Sequence, residues 1–371
     1  MHWGQHAPPY GRGTMVKDWR NAMLELNKVI MEDLQNVCAR KINWDKFRNA
    51  SVLVTGANGL IATYIIYMLL YLNEYQDMGI QVIGLARNPQ KVAQKYGSLL
   101  ERDDFRMIYQ DVTKPLQAEG AVDYIIHTAS PTGPKQFMDT PVDTILANVA
   151  GAYHLLEAGR EKQAKGFLLL STREIYGSGG KDFVMEGDYG AVDPTLVRSC
   201  YPESKRMSET LCSAYRAQYG MNCKVVRIAH TYGPGMILRD GRVVGDFLGN
   251  VVDGKDITMN SDGSGTLALT YIGDVLAGIM QALCNFEDFV YNISNSTETT
   301  SVRELAETLC ALFPEKGISP RFQPASDREK AGYLANKLGF LDSAKAIGEG
   351  WEIQVPLAEG MRRTVQYFAG C

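Results

Sequence analysis

From residue 51 to about residue 170, short apolar runs alternate with longer stretches in which apolar positions recur at helical spacing. That alternation predicts an α/β fold, a Rossmann-type doubly wound parallel sheet with helices on both faces. The predicted strands are Ser51–Thr55, Gln81–Ala86, Arg106–Gln110, Tyr124–Thr128, Gly166–Ser171 and Cys223–Ile228. Ahead of them, Met23, Leu24, Leu26, Val29, Ile30, Leu34 and Val37 repeat with a helical period, so one or two helices between Asp18 and Arg40 are expected to pack on the outside of the core. Beyond residue 235 come Gly-rich loops, a helical stretch at Ser301–Leu312 and a tail around Trp351. A chain of 371 residues exceeds what one core usually supports. Three parts are expected: an N-terminal tail and helical extension over 1–45, a mainly nucleotide-binding domain over 46–235, and a smaller, mainly substrate-binding domain over 236–371. Residues 1–14, rich in Gly, Pro and His, read as a disordered or added tail, with Met15 an alternative start.

Two local patterns carry chemistry. The run Ser51-Val-Leu-Val54 leads into Gly56 and Gly59, and Leu60-Ile-Ala62 opens a stretch apolar enough for a buried helix. Strand, glycine turn and helix together make a dinucleotide site: Gly56 allows the tight turn, and Gly59 lets the backbone around Asn58, Leu60 and Ile61 approach a pyrophosphate. Ala62 lets the helix pack closely on the strand. The second pattern is Tyr201-Pro-Glu-Ser-Lys205. Four residues apart on a helix, Tyr201 and Lys205 share a face. A phenol titrates near 10 unperturbed; the Lys205 ammonium and an oxidised nicotinamide are expected to lower it, so that Tyr201 takes a proton from a carbinol as hydride leaves the same carbon. Ligands in such sheets bind beyond the carboxyl ends of the strands, where Asn58, Arg87, Asp111, Ala129, Thr172 and His230 all fall.

Composition narrows the partners. With 38 basic against 42 acidic residues and a net charge of −4, no polybasic block invites nucleic acid or an anionic membrane. No apolar run reaches the ~18 residues of a membrane span, and the first ten residues lack the layout of a signal peptide, so a cytoplasmic protein is expected. Seven scattered cysteines include no Cys-x-x-Cys, which argues against a metal site or a disulfide framework. Cys200, beside Tyr201, reads as a small buried thiol.

With these motifs the chain resembles the extended short-chain dehydrogenase/reductase family, in its nucleotide-sugar branch. Asp111-Val112 resembles the acidic residue that contacts adenosine, His127-Thr-Ala-Ser-Pro131 the segment after the fourth strand, and Ser171-Thr-Arg-Glu-Ile-Tyr-Gly177 the catalytic strand end. Arg198-Ser-Cys-Tyr201, Lys205-Arg206 and Asp240-Gly-Arg-Val-Val244 resemble the UDP-glucuronate decarboxylases most. The resemblance implies a bound NAD, with NADP open because Arg87 stands where an acidic residue normally selects NAD. It also implies a homodimer, a nucleotide-diphosphate sugar as substrate, and chemistry through a transient keto-sugar in an epimerase or 4,6-dehydratase. A decarboxylase is the alternative, and a noncatalytic NAD(P)-sensing module a further one. By the same resemblance Thr172 holds the reacting hydroxyl, Glu174 acts as acid or base on a neighbouring carbon, and Pro131, Arg173, Arg198, His230 and Arg242 face the substrate. Tyr271 and Asp274 read as architecture.

The departures bear on the reaction. Arg173 replaces a serine of the decarboxylases, and Leu267 stands where they carry an arginine. If the strand stays regular, Thr172 and Glu174 point to one side and Arg173 to the other. Weak decarboxylation of a glucuronate is expected on that basis.

Overall fold

A computed structural model describes residues 24, 26–323 and 338–370. The N-terminal tail and the start of the first predicted helical stretch, residues 18–23 and 25, lie outside the described residues. Helix α1 spans Lys28–Cys38, with the Asn27 side chain accepting from the amide of Val29 as its cap.

The central sheet has seven parallel strands: β1 (Ser51–Thr55), β2 (Gln81–Ala86), β3 (Phe105–Tyr109), β4 (Tyr124–His127), β5 (Gly166–Thr172), β7 (Cys223–Ile228) and β11 (Val290–Ile293), the two-residue β6 (Phe183–Val184) lying outside it. Its order, β11-β7-β5-β4-β1-β2-β3, reverses direction of growth between β1 and β4. A ligand crevice opens at such a reversal. β1 is buried at all five positions, as a central strand covered on both faces must be. Helix α2 (Leu60–Gln76) is apolar nearly all round and buried from Ala62 to Asn73. Around it run α3 (Pro89–Tyr96), the short α4 (Pro134–Asp139), and the long pair α5 (Pro141–Glu161) and α6 (Cys200–Tyr219).

Three boundaries differ from the sequence expectation for local reasons. The third strand stops at Tyr109 because the Gln110 side chain turns to cap the loop, donating to the Pro115 carbonyl at 2.8 Å. The fourth stops at His127, since the Thr128 hydroxyl bonds the Thr55 carbonyl at 2.7 Å. The fifth runs one residue further, to Thr172, paired with Ile228. The edge strand β11 escaped the sequence pattern because Asn292 interrupts its Val-Tyr-Asn-Ile run and leaves no continuous apolar stretch.

Later elements complete the molecule: β8 (His230–Tyr232), α7 (Val243–Asp253), β9 (Ile257–Met259), β10 (Thr266–Tyr271), α8 (Ile272–Cys284), β12 (Thr299–Ser301) and α9 (Val302–Leu312). Ser301 and Glu304 form a reciprocal capping box at the start of α9. β8, β10 and β12 make a small sheet, with His230 opposite Leu269. Asp33 on α1 accepts from Tyr64, Tyr271 and Arg363, tying the N-terminal helix to α2, to β10 and to the helix Leu357–Ala369. Tyr271 is thereby a structural residue. So is Asp274, which pairs with Arg40 and accepts from the amides of Gln354 and Val355.

Candidate active site

The glycine turn and the end of β4 are stitched together through Thr55. Its hydroxyl lies 2.9 Å from Nδ1 of His127 and accepts from the amide of Ala129 at 3.2 Å. Gly56 has φ +71°, and a Cβ there would stand 2.9 Å from the Ala129 Cα. Only glycine satisfies both the left-handed backbone and that approach. The amide of Gly59 closes the turn on the Gly56 carbonyl at 2.8 Å, and α2 starts at Leu60 without a side-chain cap. The first-turn amides of α2 therefore keep their capacity to bind an anion. Asn58 adds a buried Oδ1 without a protein partner. These are the features a bound pyrophosphate requires, so the residues present fit a dinucleotide.

At the ends of β2 and β3, Arg87 pairs with Asp111 at 3.4 Å, its side chain 75% exposed. Burial opposes ionisation of Asp111, but bonds from Thr113 and the Arg87 charge outweigh it and hold the carboxyl below its usual value. Val112 is buried beneath. The Arg87 guanidinium thus faces a carboxylate, which suits ribose hydroxyls better than a second phosphate.

On α6, Tyr201 and Lys205 are both buried and share one face of the helix. Lys205 spends its ammonium on the Leu170 carbonyl of β5, at 2.9 Å. Burial lowers its pKa to about 8. Tyr201 departs from the sequence expectation: burial first, then the Glu174 carboxylate, push its phenol above the usual value, and the groups that pull it back are Thr172, Arg198 and Arg242. The helical spacing places Lys205 beside the phenol, but its long stem reaches the strand instead. The Thr172 hydroxyl lies close enough to the phenol to favour its ionised form. Phe137 stacks on Tyr201 with ring centroids 4.5 Å apart, and Arg198 lies 4.6 Å over the Phe137 ring. Arg198 also pairs with Glu174 at 2.9 Å while its Nη1 is buried without a partner. Cys200 donates weakly to the Phe137 carbonyl, and burial raises its pKa, so it is no nucleophile.

Beyond Thr172 the strand does not continue. Residues Arg173–Tyr176 form a 3-10 turn, capped by the Thr172 hydroxyl, which accepts from the amide of Glu174 at 3.3 Å. Strand alternation therefore does not set the direction of Arg173, whose charge acts on His230. Arg206 on α6 fixes the turn by donating to the Ile175 carbonyl at 2.7 Å. A buried network below it joins Ser171, Glu209, Arg227, Tyr176 and Asn292. Arg173 and Arg242 both act on His230, whose pKa falls to about 3, burial being the larger cause. His230 is neutral, and its Nδ1 is buried without a partner. Arg242, at the N-cap of α7, is engaged by Asp240 at 2.8 Å. Pro131 follows Ser130 in the half-buried segment leading from β4 to α4.

Two residues of the site escaped sequence reasoning. Phe137 lies in a short helix with no motif of its own. Asn148, on α5, donates to the Ser204 hydroxyl at 2.9 Å and so locks α5 to α6 one residue from Lys205. Its place on an otherwise ordinary helix face carried no signal.

The family model of the NAD dependent epimerase/dehydratase family matches residues 52–294. The chain belongs to that family. Among curated members of the NAD dependent epimerase/dehydratase family, UDP-glucuronic acid decarboxylase 1 of Danio rerio is 34% identical over 270 residues, covering 72% of this chain and 62% of that protein. This chain thus spans less than two thirds of that relative's length. UDP-glucuronic acid decarboxylase 6 of Arabidopsis thaliana is 33% identical over 313 residues, covering 84% of this chain and 87% of the plant protein. Among solved structures, a UDP-glucose 4-epimerase of Thermotoga maritima superposes with TM-score 0.72 at 22% identity, covering 86% of this chain and 98% of that one. A UDP-glucuronic acid 4-epimerase of Bacillus cereus in complex with NAD gives TM-score 0.67 at 24%, covering 86% and 96%. Both confirm the doubly wound fold of the family. No helix among the described residues is long and apolar enough to cross a membrane.

Proposed function

We propose that this chain is an NAD-dependent nucleotide-sugar enzyme that oxidises a hexose at C4, converts the resulting keto-sugar and then returns the hydride to the sugar. The observation that carries the reading is the Thr172–Tyr201–Lys205 arrangement at the ends of β5 and on α6, beside the glycine turn. Asn58, Gly59, Leu60 and Ile61 would hold the pyrophosphate, Asp111 the adenosine ribose, and Lys205 the nicotinamide ribose. Bound NAD supplies the hydride acceptor and, oxidised, a positive charge. Thr172 holds the substrate hydroxyl against Tyr201, which takes the hydroxyl proton as the phenolate. Arg198 and Arg242 draw the phenol toward ionisation, so an anionic diphosphate engaging either would tune the base. Glu174 stands beside the phenol and can move a proton at an adjacent carbon.

In epimerisation the hydride returns to C4; in 4,6-elimination water is lost across C5 and C6 and the hydride returns to C6, leaving the ketone at C4. Decarboxylation is a second reading, supported by the similarity to the UDP-glucuronic acid decarboxylases. Incubation with UDP-glucose, dTDP-glucose and UDP-glucuronate in turn, followed by proton NMR, separates the three outcomes. Unchanged spectra with all three would contradict the reading. A homodimer belongs to the same proposal: Val142, Ile145, Leu146 and Tyr153 form an exposed apolar stripe on α5, with Met207 exposed on α6. Sedimentation as a monomer at micromolar concentration would contradict it, as would exclusion from the cytoplasm of its source cell for the compartment.

A further inference from the structure

The sugar end of the cleft holds three arginines and only two carboxylates to meet them. Glu174 is taken by Arg198 and Asp240 by Arg242. Arg173 is half-buried, and its guanidinium has no hydrogen-bond or ion-pair partner among the described residues. A guanidinium stays protonated in proteins, and a buried charge without a partner is costly. Such a charge persists where a ligand supplies the missing anion.

Its position says which part of a ligand that is. Thr172 pairs with Ile228, so Arg173 and His230 emerge just beyond the ends of neighbouring strands. Thr172 ends β5 close to the Tyr201 phenol on α6, which marks the reacting carbon. Arg173 is the next residue along the chain, and its charge acts on His230. On β10, Leu267 shares a face with Leu269, which pairs with His230. The side chain from β10 on that face is therefore apolar, and the cation comes from the β5 turn instead. His230 is neutral there, with a free buried Nδ1 suited to a hydroxyl.

We infer that Arg173 is a specificity-determining residue that receives a carboxylate carried by the hexose, making nucleotide-linked uronic acids the preferred substrate class. The inference rests on the proposed nucleotide-sugar activity, yet its test needs binding alone. Calorimetry with UDP-glucuronate, UDP-glucose and UDP is performed on the NAD-loaded Tyr201→Phe protein, with and without Arg173→Leu. Arg173→Leu should weaken UDP-glucuronate by about 10- to 100-fold, the range of a charged hydrogen bond, and leave UDP-glucose and UDP within about 3-fold. Arg173→Lys should recover part of the loss. An equal loss for all three ligands assigns Arg173 to the diphosphate and overturns the inference. So does no loss for any of them. Binding of none of the three before Arg173 is changed removes the underlying reading and this inference with it, whereas binding without turnover by the Tyr201 protein removes only the former. Thermal melting and NAD titration check the fold, and Arg173→Gln replaces the leucine variant if that one unfolds.

Discussion

The cofactor end and the sugar end of the cleft meet at Tyr201 but are finished in different ways. At the cofactor end the backbone is the instrument: Gly56 fits a space that a Cβ would overfill, Thr55 binds two strands together, and the side-chain charges Arg87 and Asp111 satisfy each other. At the sugar end the backbone turns away from strand geometry after Thr172, and charge is left in surplus at Arg173. A dinucleotide presents one invariant shape, so glycines and helix-end amides are enough to receive it. A sugar is distinguished from its relatives by single substituents, and reading those takes charged and hydrogen-bonding side chains.

The largest effect belongs to the point where the two ends join. Tyr201→Phe should lower turnover by a factor on the order of 10² to 10⁴ while NAD binding is largely kept; near-normal turnover would take the phenol out of the reaction and break the link. Gly56→Ala tests the cofactor end by itself. Forcing a side chain into the left-handed region against Ala129 costs on the order of 1–3 kcal/mol, so NAD affinity should fall by roughly ten- to a hundred-fold, read by fluorescence titration. A wild-type affinity would show that the turn has room to spare. The charge on Lys205 gives a pH signature. With its pKa lowered to about 8, the ammonium is present below that pH and lost above it. NAD affinity should therefore drop between pH 7 and 9 by a factor on the order of ten, and Lys205→Met should flatten the profile. Smallest is Arg87→Ala, expected to change NAD affinity by less than about 3-fold because the side chain is exposed and paired. A selective loss of NADP affinity far beyond that would reopen the cofactor choice at this end.

The same contrast decides what could be read from sequence. Strand, glycine turn and helix were legible because backbone demands force residue types: positive φ at Gly56 leaves little choice, and i, i+4 spacing fixes Tyr201 and Lys205 on one face. The central sheet was legible from periodicity except for β11, whose apolar run is broken by Asn292. Side-chain partners were not. Nothing in Tyr201-x-x-x-Lys205 says that the ammonium will be claimed by the Leu170 carbonyl of another element, or that Arg198 and Arg242 will be the cations acting on the phenol. Strand alternation does not apply at Arg173, because the strand ends at Thr172 and the turn at 173–176 depends on Arg206 and on a buried network contributed by β7 and β11. Phe137 and Asn148 were invisible for the same reason: each matters through a contact distant in sequence.

The central claim, that hydride leaves C4 of a nucleotide sugar for the nicotinamide and is returned to the sugar, is tested most directly with UDP-glucuronate carrying deuterium at C4, where the return is to C4. After mixing with the NAD-loaded protein and acid quenching within the first turnover, mass analysis should find deuterium in the nicotinamide, with the final product again labelled at C4. Product formed with the nicotinamide free of label would contradict the account, and so would substrate that binds and comes back with its deuterium never having left.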